Sequence, residues 1–195
     1  GDNLRAAALA ASASLQLSQR DLDLLRRMGE CLNYNAYGDA VADLHFHPEA
    51  LYLRLAQYGD PLEFAAQDVA FDILQRGYEA DMARASQVSP VLATPDHLAV
   101  VLPDEPWARR VSGSWANNLA TAAAQRAHAV IVRKGQTLTV SLRAPLARPG
   151  GADVLARQFP SGGGRPGAAG INALPEAELP RLLRAFELHF RGTGQ

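Results

Sequence analysis

The feature that most constrains this chain is a change in hydrophobic spacing near its middle. Before Ser89-Pro90 the apolar runs repeat at helical intervals, whereas after it short runs alternate with period two, the spacing of strands. In TLTVSLR (137–143), Leu138, Val140 and Leu142 fall on one face, and Thr139, Ser141 and Arg143 fall on the other. Together with AHAVIVR (127–133) and a turn at Lys134-Gly135, this segment reads as a hairpin. HLAVVL (97–102) and AAGINAL (168–174) read as further strands. Asp104 reads as the cap of a helix carrying Trp107, Val111, Trp115 and Leu119 along one side. A short helix is expected around 153–159, and a last one carries Leu182, Leu183, Phe186 and Phe190. The prediction is an α+β chain. An all-helical segment spans 1–88, and a compact domain spans 89–195, with a small mixed β-sheet packed by helices.

The helical half has its own punctuation. Residues 4–13 are Ala-rich, and Ser18 with Asp21 has the spacing of a capping box before Leu22, Leu25, Met28 and Leu32. Residues 33–47 show no period and read as a loop. His47-Pro48 supplies an N-cap and a first helical position for a helix running to Gly59. Asp60-Pro61 opens the next, with Val69, Ile73 and Gly77 four apart, ending near Ser86.

With 195 residues, 48% hydrophobic and 20% charged, the chain can bury a sizeable core, which excludes a disordered tail, a collagen-like chain or a coiled-coil rod. No window approaches the ~18 consecutive apolar residues of a membrane span, and no basic-then-apolar leader opens the sequence. A single cysteine, Cys31, makes no internal disulfide, so a reducing, cytoplasmic setting without a membrane is expected. Charge is uneven: residues 1–87 carry a net −6 and residues 88–195 a net +5. A basic half suits an anionic partner; equally, the two halves suit each other.

Several residues are candidates for chemistry. Arg143 presents a donor fork for a carboxylate or phosphate beside the Ser141 hydroxyl, or it is an edge arginine that is solvated or paired to a carboxylate. Gly162, Gly163 and Gly164 let backbone N–H groups approach a ligand, with Arg165 adding charge, or they form a flexible surface connection. The run satisfies GxGxxG only formally, because a helix precedes it and a strand follows. His45 and His47, with Asp43 near, suggest a metal pair, although capping already explains His47. His128 reads as a satisfied core histidine, and Cys31 as an inert one.

The stretch from about 97 to 190 resembles the DHH-associated domain, the C-terminal substrate-binding domain of DHH-family phosphoesterases. The residues that carry the resemblance are VSLRAP (140–145), Asp153 leading DVLARQF, and SGGGRPGAAGI (161–171). The family includes RecJ-like exonucleases, nano-RNA phosphatases and cyclic-dinucleotide phosphodiesterases. The resemblance implies a phosphate or nucleotide clamp made by Arg143 and the 162–164 backbone, with Ser141 beside it. The family's motif ends in histidine where this chain has Arg165, so charge is carried over and a histidine-specific role is not.

Residues 1–87 resemble the tail and helical connector of the same architecture, without the Asp-x-Asp and Asp-His-His ligands of its catalytic domain. Gly1-Asp2-Asn3 would be a remnant of that domain's last segment, leaving Asp2 as a lone metal ligand of an incomplete site. The implied whole is a phosphoesterase working with Mn²⁺ on a nucleotide or short single-stranded oligonucleotide. Within it, this chain would recognise substrate, carry no catalytic residue and hold no tightly bound cofactor. The alternatives are a non-catalytic nucleic-acid or nucleotide-binding module and a regulatory domain that binds no phosphate.

Overall fold

The computed structural model describes residue 13 and residues 16–191; Asp2 and nearly all of the Ala-rich opening stretch lie outside the described residues. The chain divides into two compact units between Ala83 and Arg84.

The first unit is helical. Helix α1 (Gln19–Tyr34) starts where the sequence signals it: Ser18 accepts from the Asp21 N–H and its hydroxyl donates to the Asp21 carboxylate. Helix α2 (Pro48–Leu55) is capped by His47, whose Nδ1 accepts from the Glu49 N–H at 3.3 Å. The segment expected as one helix from Asp60-Pro61 to Ser86 is two, α3 (Pro61–Gln67) and α4 (Val69–Ser86). Asp68 makes the break. Its backbone is extended and its carboxylate accepts from the Ala70 N–H (2.8 Å) and from Arg54 (2.9 Å), so it ends one helix and starts the next. Met28, Cys31, Leu51, Phe64, Phe71 and Leu74 form the core. Burial raises the Cys31 thiol to about 11, which keeps it protonated.

The second unit holds a six-stranded mixed sheet in the order β1-β2-β3-β4-β6-β5. Its strands are β1 (Leu92–Ala93), β2 (His97–Leu102), β3 (Ala127–Lys134), β4 (Thr137–Arg143), β5 (Gly162–Arg165) and β6 (Ala168–Pro175). Among the described residues only β2 and β3 run parallel, joined through helix α5 (Pro106–Ala122) as a parallel pair requires. Glu105, not Asp104, precedes α5 at the cap position, and its side chain makes no capping bond. Asp104 instead accepts from the Gly135 N–H (2.8 Å) and pairs with Arg109, tying the β3–β4 turn to the start of α5.

The alternation of TLTVSLR sorts the sheet into two faces. Leu138, Val140 and Leu142 are buried together with Ile131, Ala169 and Ile171 against α6 (Ala152–Ala156) and α7 (Leu179–His189). On the opposite face Val100, Val130 and Val132 are buried, as are Trp107, Ala108, Val111 and Ala116 of α5. Helix α5 packs against β3 and β4, so it roofs one half of this face.

Candidate functional site

The unroofed half of that face is where the candidate residues gather. In the antiparallel register Ser141 stands opposite Gly170, and Gly170 opposite Gly163; one row along, Arg143 stands opposite Ala168, and Ala168 opposite Arg165. Residues in one row, and in rows two positions apart, point to the same side. Ser141, Arg143, Gly163 and Arg165 therefore share one face, over a floor of Gly163, Ala168 and Gly170 that has almost no side chains. With ~4.8 Å between neighbouring strands, the Arg143 and Arg165 backbones stand roughly 10 Å apart across β6.

Arg143 sits at the edge of the roof. Its Nε donates to Asn117 Oδ1 at 2.7 Å, Nη1 to the Leu142 carbonyl at 2.9 Å and Nη2 to the Gly113 carbonyl at 3.5 Å. The guanidinium is thus oriented by α5 rather than left as a solvated arm. Gly113 and Asn117 lie four apart on one helix face, which is why both reach it. Sequence reasoning missed these two residues; an Asn-Asn pair inside a helix, where Asn is a poor former, was the available signal. The Ser141 hydroxyl has no hydrogen-bond partner among the described residues.

The glycine run is not a loop or a turn. Gly162–Arg165 is the edge strand β5, and Pro166-Gly167 is the turn that returns the chain into β6. Its glycines have different reasons. A Cβ at Gly162 would lie 1.8 Å from the Ala156 carbonyl oxygen, and one at Gly164, whose φ is +145°, would lie 2.5 Å from Ala169 Cα. A Cβ at Gly163 would meet nothing within 4 Å, because it faces the open floor. The N–H groups also differ. Asn172 donates to the Ser161 carbonyl, so ladder alternation assigns Gly163 and Gly170 to a bonded pair and turns the Gly164 N–H outward. The expected row of three backbone donors reduces to that one, beside a bare floor.

His128 lies next to Arg143 across the β3–β4 pair. It is 1% exposed and a core histidine, with a backbone hydrogen bond at Arg126, while its Nδ1 has no hydrogen-bond partner among the described residues. Burial, with the nearby Arg126 charge, lowers its pKa to about 4. The imidazole is consequently neutral at pH 7 and adds no positive charge beside Arg143.

His45 and His47 are not brought together as ligands. His47 caps α2, while His45 Nε2 lies 2.8 Å from the Tyr34 hydroxyl, which donates to Asp81. The Asp43 carboxylate accepts from the Asp39 and Ala40 N–H groups. Among the described residues no group of three or more His, Cys, Asp or Glu is placed to hold a metal ion, so these residues do not fit a Mn²⁺ site. Among the described residues no helix is long and apolar enough to cross a membrane.

No family model matches the sequence. No curated protein matches it either. Solved structures do. RecJ from Thermus thermophilus, in complex with Mn²⁺, aligns with a TM-score of 0.59 and 19% identity over 86% of this chain and 24% of its own. The pGpG-specific phosphodiesterase PggH from Vibrio cholerae aligns at 0.58 and 11% identity over 96% of this chain and 65% of its own. A DHH domain from a member of the s1p family of ribosomal proteins aligns at 0.53 and 14% identity, over 92% and 44%. The chain spans between a quarter and two thirds of the length of these proteins. What they share with it is fold: this chain has the architecture of one part of RecJ and of other DHH-type proteins.

Proposed function

We propose that this chain is the substrate-recognition portion of a metal-dependent DHH-type phosphoesterase that acts on a nucleotide or short single-stranded oligonucleotide. One observation carries the reading: Arg143, oriented by α5, stands beside a floor of glycine and alanine with Arg165 in the same row. A planar guanidinium fork recognises phosphate oxygens, and a bare glycine floor lets a phosphodiester lie close to the backbone. Likeness of fold to RecJ and to a pGpG-specific phosphodiesterase supports a nucleotide or oligonucleotide as the partner. In this reading the catalytic domain and its Mn²⁺ ions lie outside the described residues. Arg143, Ser141 and the β5 edge bind and orient the substrate, and carry no proton in the reaction.

Titration of the chain with mononucleotides and short oligonucleotides tests this. A charge-assisted hydrogen bond is worth about 1.5–3 kcal/mol, so Arg143→Ala is expected to weaken binding about 10- to 100-fold. The melting temperature should change little. Binding as tight as the parent's would overturn the clamp. Hydrolysis of a short oligonucleotide by the metal-loaded protein with its catalytic domain, as against binding alone, separates this reading from a non-catalytic binding module.

A further inference from the structure

Two residues of α5 touch Arg143, and both are poor helix formers. Asn117 is exposed on the helix, and Gly113 lies one turn before it. A Cβ at Gly113 would meet nothing within 4 Å among the described residues, so packing does not demand the glycine. The Gly113 carbonyl accepts from Arg143 Nη2, and Asn117 Oδ1 accepts from Nε at 2.7 Å. A guanidinium only donates, so the second bond fixes how the carboxamide is turned: its oxygen meets Arg143, and its nitrogen is the other arm. That nitrogen, Nδ2, makes no hydrogen bond among the described residues. The two arms of an amide are ~2.3 Å apart, which places Nδ2 within ~5 Å of Arg143 Nε.

We propose that Asn117 is a second phosphate ligand of the anion site, its Nδ2 donating to the same phosphate that Arg143 holds; the assignment rests on the anion-site reading above. Two hydrogen bonds of ~2.9 Å laid end to end span ~5.8 Å, so donors ~5 Å apart reach one phosphate, and even one oxygen of it. The neutrality of the amide matters as much as its reach. A carboxylate at 117 would orient Arg143 equally well, but it would pair with the guanidinium and compete with the phosphate for it. The amide orients without cancelling the charge, and it brings a donor of its own. An asparagine that only braced α5 against β4 would use the same Oδ1 bond. It would leave the bare Gly113 backbone beside Arg143 without a reason, whereas a ligand seated there needs the room.

The test is equilibrium binding of AMP, at low ionic strength, to the whole chain and to Asn117→Ala, Asn117→Asp, Arg143→Ala and the double variant of Asn117→Ala with Arg143→Ala, with a thermal melt of each. A neutral hydrogen bond is worth about two- to tenfold. Asn117→Ala removes both the donor and the bond that aims Arg143, so it should weaken AMP about tenfold. It should melt no lower than the parent, because alanine is the better helix former at an exposed position. Asn117→Asp keeps an acceptor for Nε and should weaken AMP more than Asn117→Ala does, the excess shrinking at 1 M salt. In the Arg143→Ala background, Asn117→Ala should still cost about threefold, because the amide acts on the phosphate itself. No further loss in that background would reduce Asn117 to a brace for Arg143 and overturn the proposal, as would Asn117→Asp binding AMP as tightly as the parent. Asn117→Ala binding as the parent does, while Arg143→Ala is weakened, would remove Asn117 from the site and leave the Arg143 reading standing. Arg143→Ala binding as the parent does would overturn the anion site itself.

Discussion

On one face of the sheet Ile131, Val140 and Ile171 are closed under α6 and α7, while the other is roofed by α5 over β3 and β4 and bare over β6 and β5. The same strands supply both faces, so the contrast lies in what alternate positions carry. Under α6 and α7 they include Ile131, Leu138, Val140, Leu142 and Ile171, large aliphatic side chains each worth about 1.5–3 kcal/mol when fully buried. On the bare half they are Ser141, Arg143, Gly163, Ala168, Gly170 and Arg165, none of which would make a core. A sheet half without a roof leaves stability unclaimed, and here it is furnished with a guanidinium and glycines.

The glycines of β5 offer the sharpest way to break that contrast, because neighbouring residues face opposite sides. Gly162→Val would drive its side chain into the Ala156 carbonyl on the covered side. The expected outcome is loss of several kcal/mol, about 3 or more, or failure of the second unit to fold, read by thermal or urea unfolding. Gly163→Val puts the same atoms over the open floor, where nothing lies within 4 Å of the Cβ. It should melt near the parent, apart from a small strand effect, while losing nucleotide binding. Equal melting of the two variants would mean that β5 does not present two different sides.

A second break uses pH. The unfolded chain takes up a proton on His128 near pH 6.5, whereas the folded chain refuses it until about pH 4. The unfolded state therefore binds more protons in that window, and stability falls as pH drops from 6.5 to 4, then levels off. The loss amounts to at most about 3 kcal/mol. Burial also lowers His97, which adds in the same direction. Unfolding free energies of the parent and His128→Leu between pH 7 and 4 isolate the His128 share. A variant whose stability falls as steeply as the parent's would show that the imidazole is not desolvated beneath α5.

What the amino-acid sequence made legible depended on range. Local signals were strong: Ser18 and His47 cap helices as their spacing announces, and the alternation of TLTVSLR puts Leu138 and Arg143 on opposite faces. Contacts far apart in sequence were not legible. Nothing local says that Arg143 meets Asn117, 26 residues away, or that Asp104 reaches Gly135 across 31. The glycine run misled because glycine is a poor strand former and a good loop former. It becomes a strand by pairing with β6, and Gly162 is needed there because Ala156 leaves no room for a Cβ, both of them tertiary causes. Asp68 was overlooked for a related reason: an acidic residue between two apolar runs looks like an exposed helix position until Arg54 and the Ala70 N–H claim it.

The smallest expected effect concerns the far side of the floor. Arg165 ends β5, is exposed, and shares its row with Arg143 across β6. Exposed charges act mostly through screened Coulomb attraction, worth about 1 kcal/mol or less, and the screening length falls from ~10 Å at 0.1 M salt to ~3 Å at 1 M. Arg165→Ala should therefore weaken nucleotide binding by about two- to fivefold at low ionic strength and by almost nothing at 1 M. The Arg143→Ala loss should persist in salt, because α5 orients that guanidinium for direct hydrogen bonds. Titrating both variants at two salt concentrations compares the two sides of the floor directly. A salt-resistant loss for Arg165→Ala as large as that for Arg143→Ala would make Arg165 a second direct contact and the site symmetric about β6. No loss at either salt would end the site at β6 and leave Arg165 as an edge charge that keeps strand β5 from pairing with another chain.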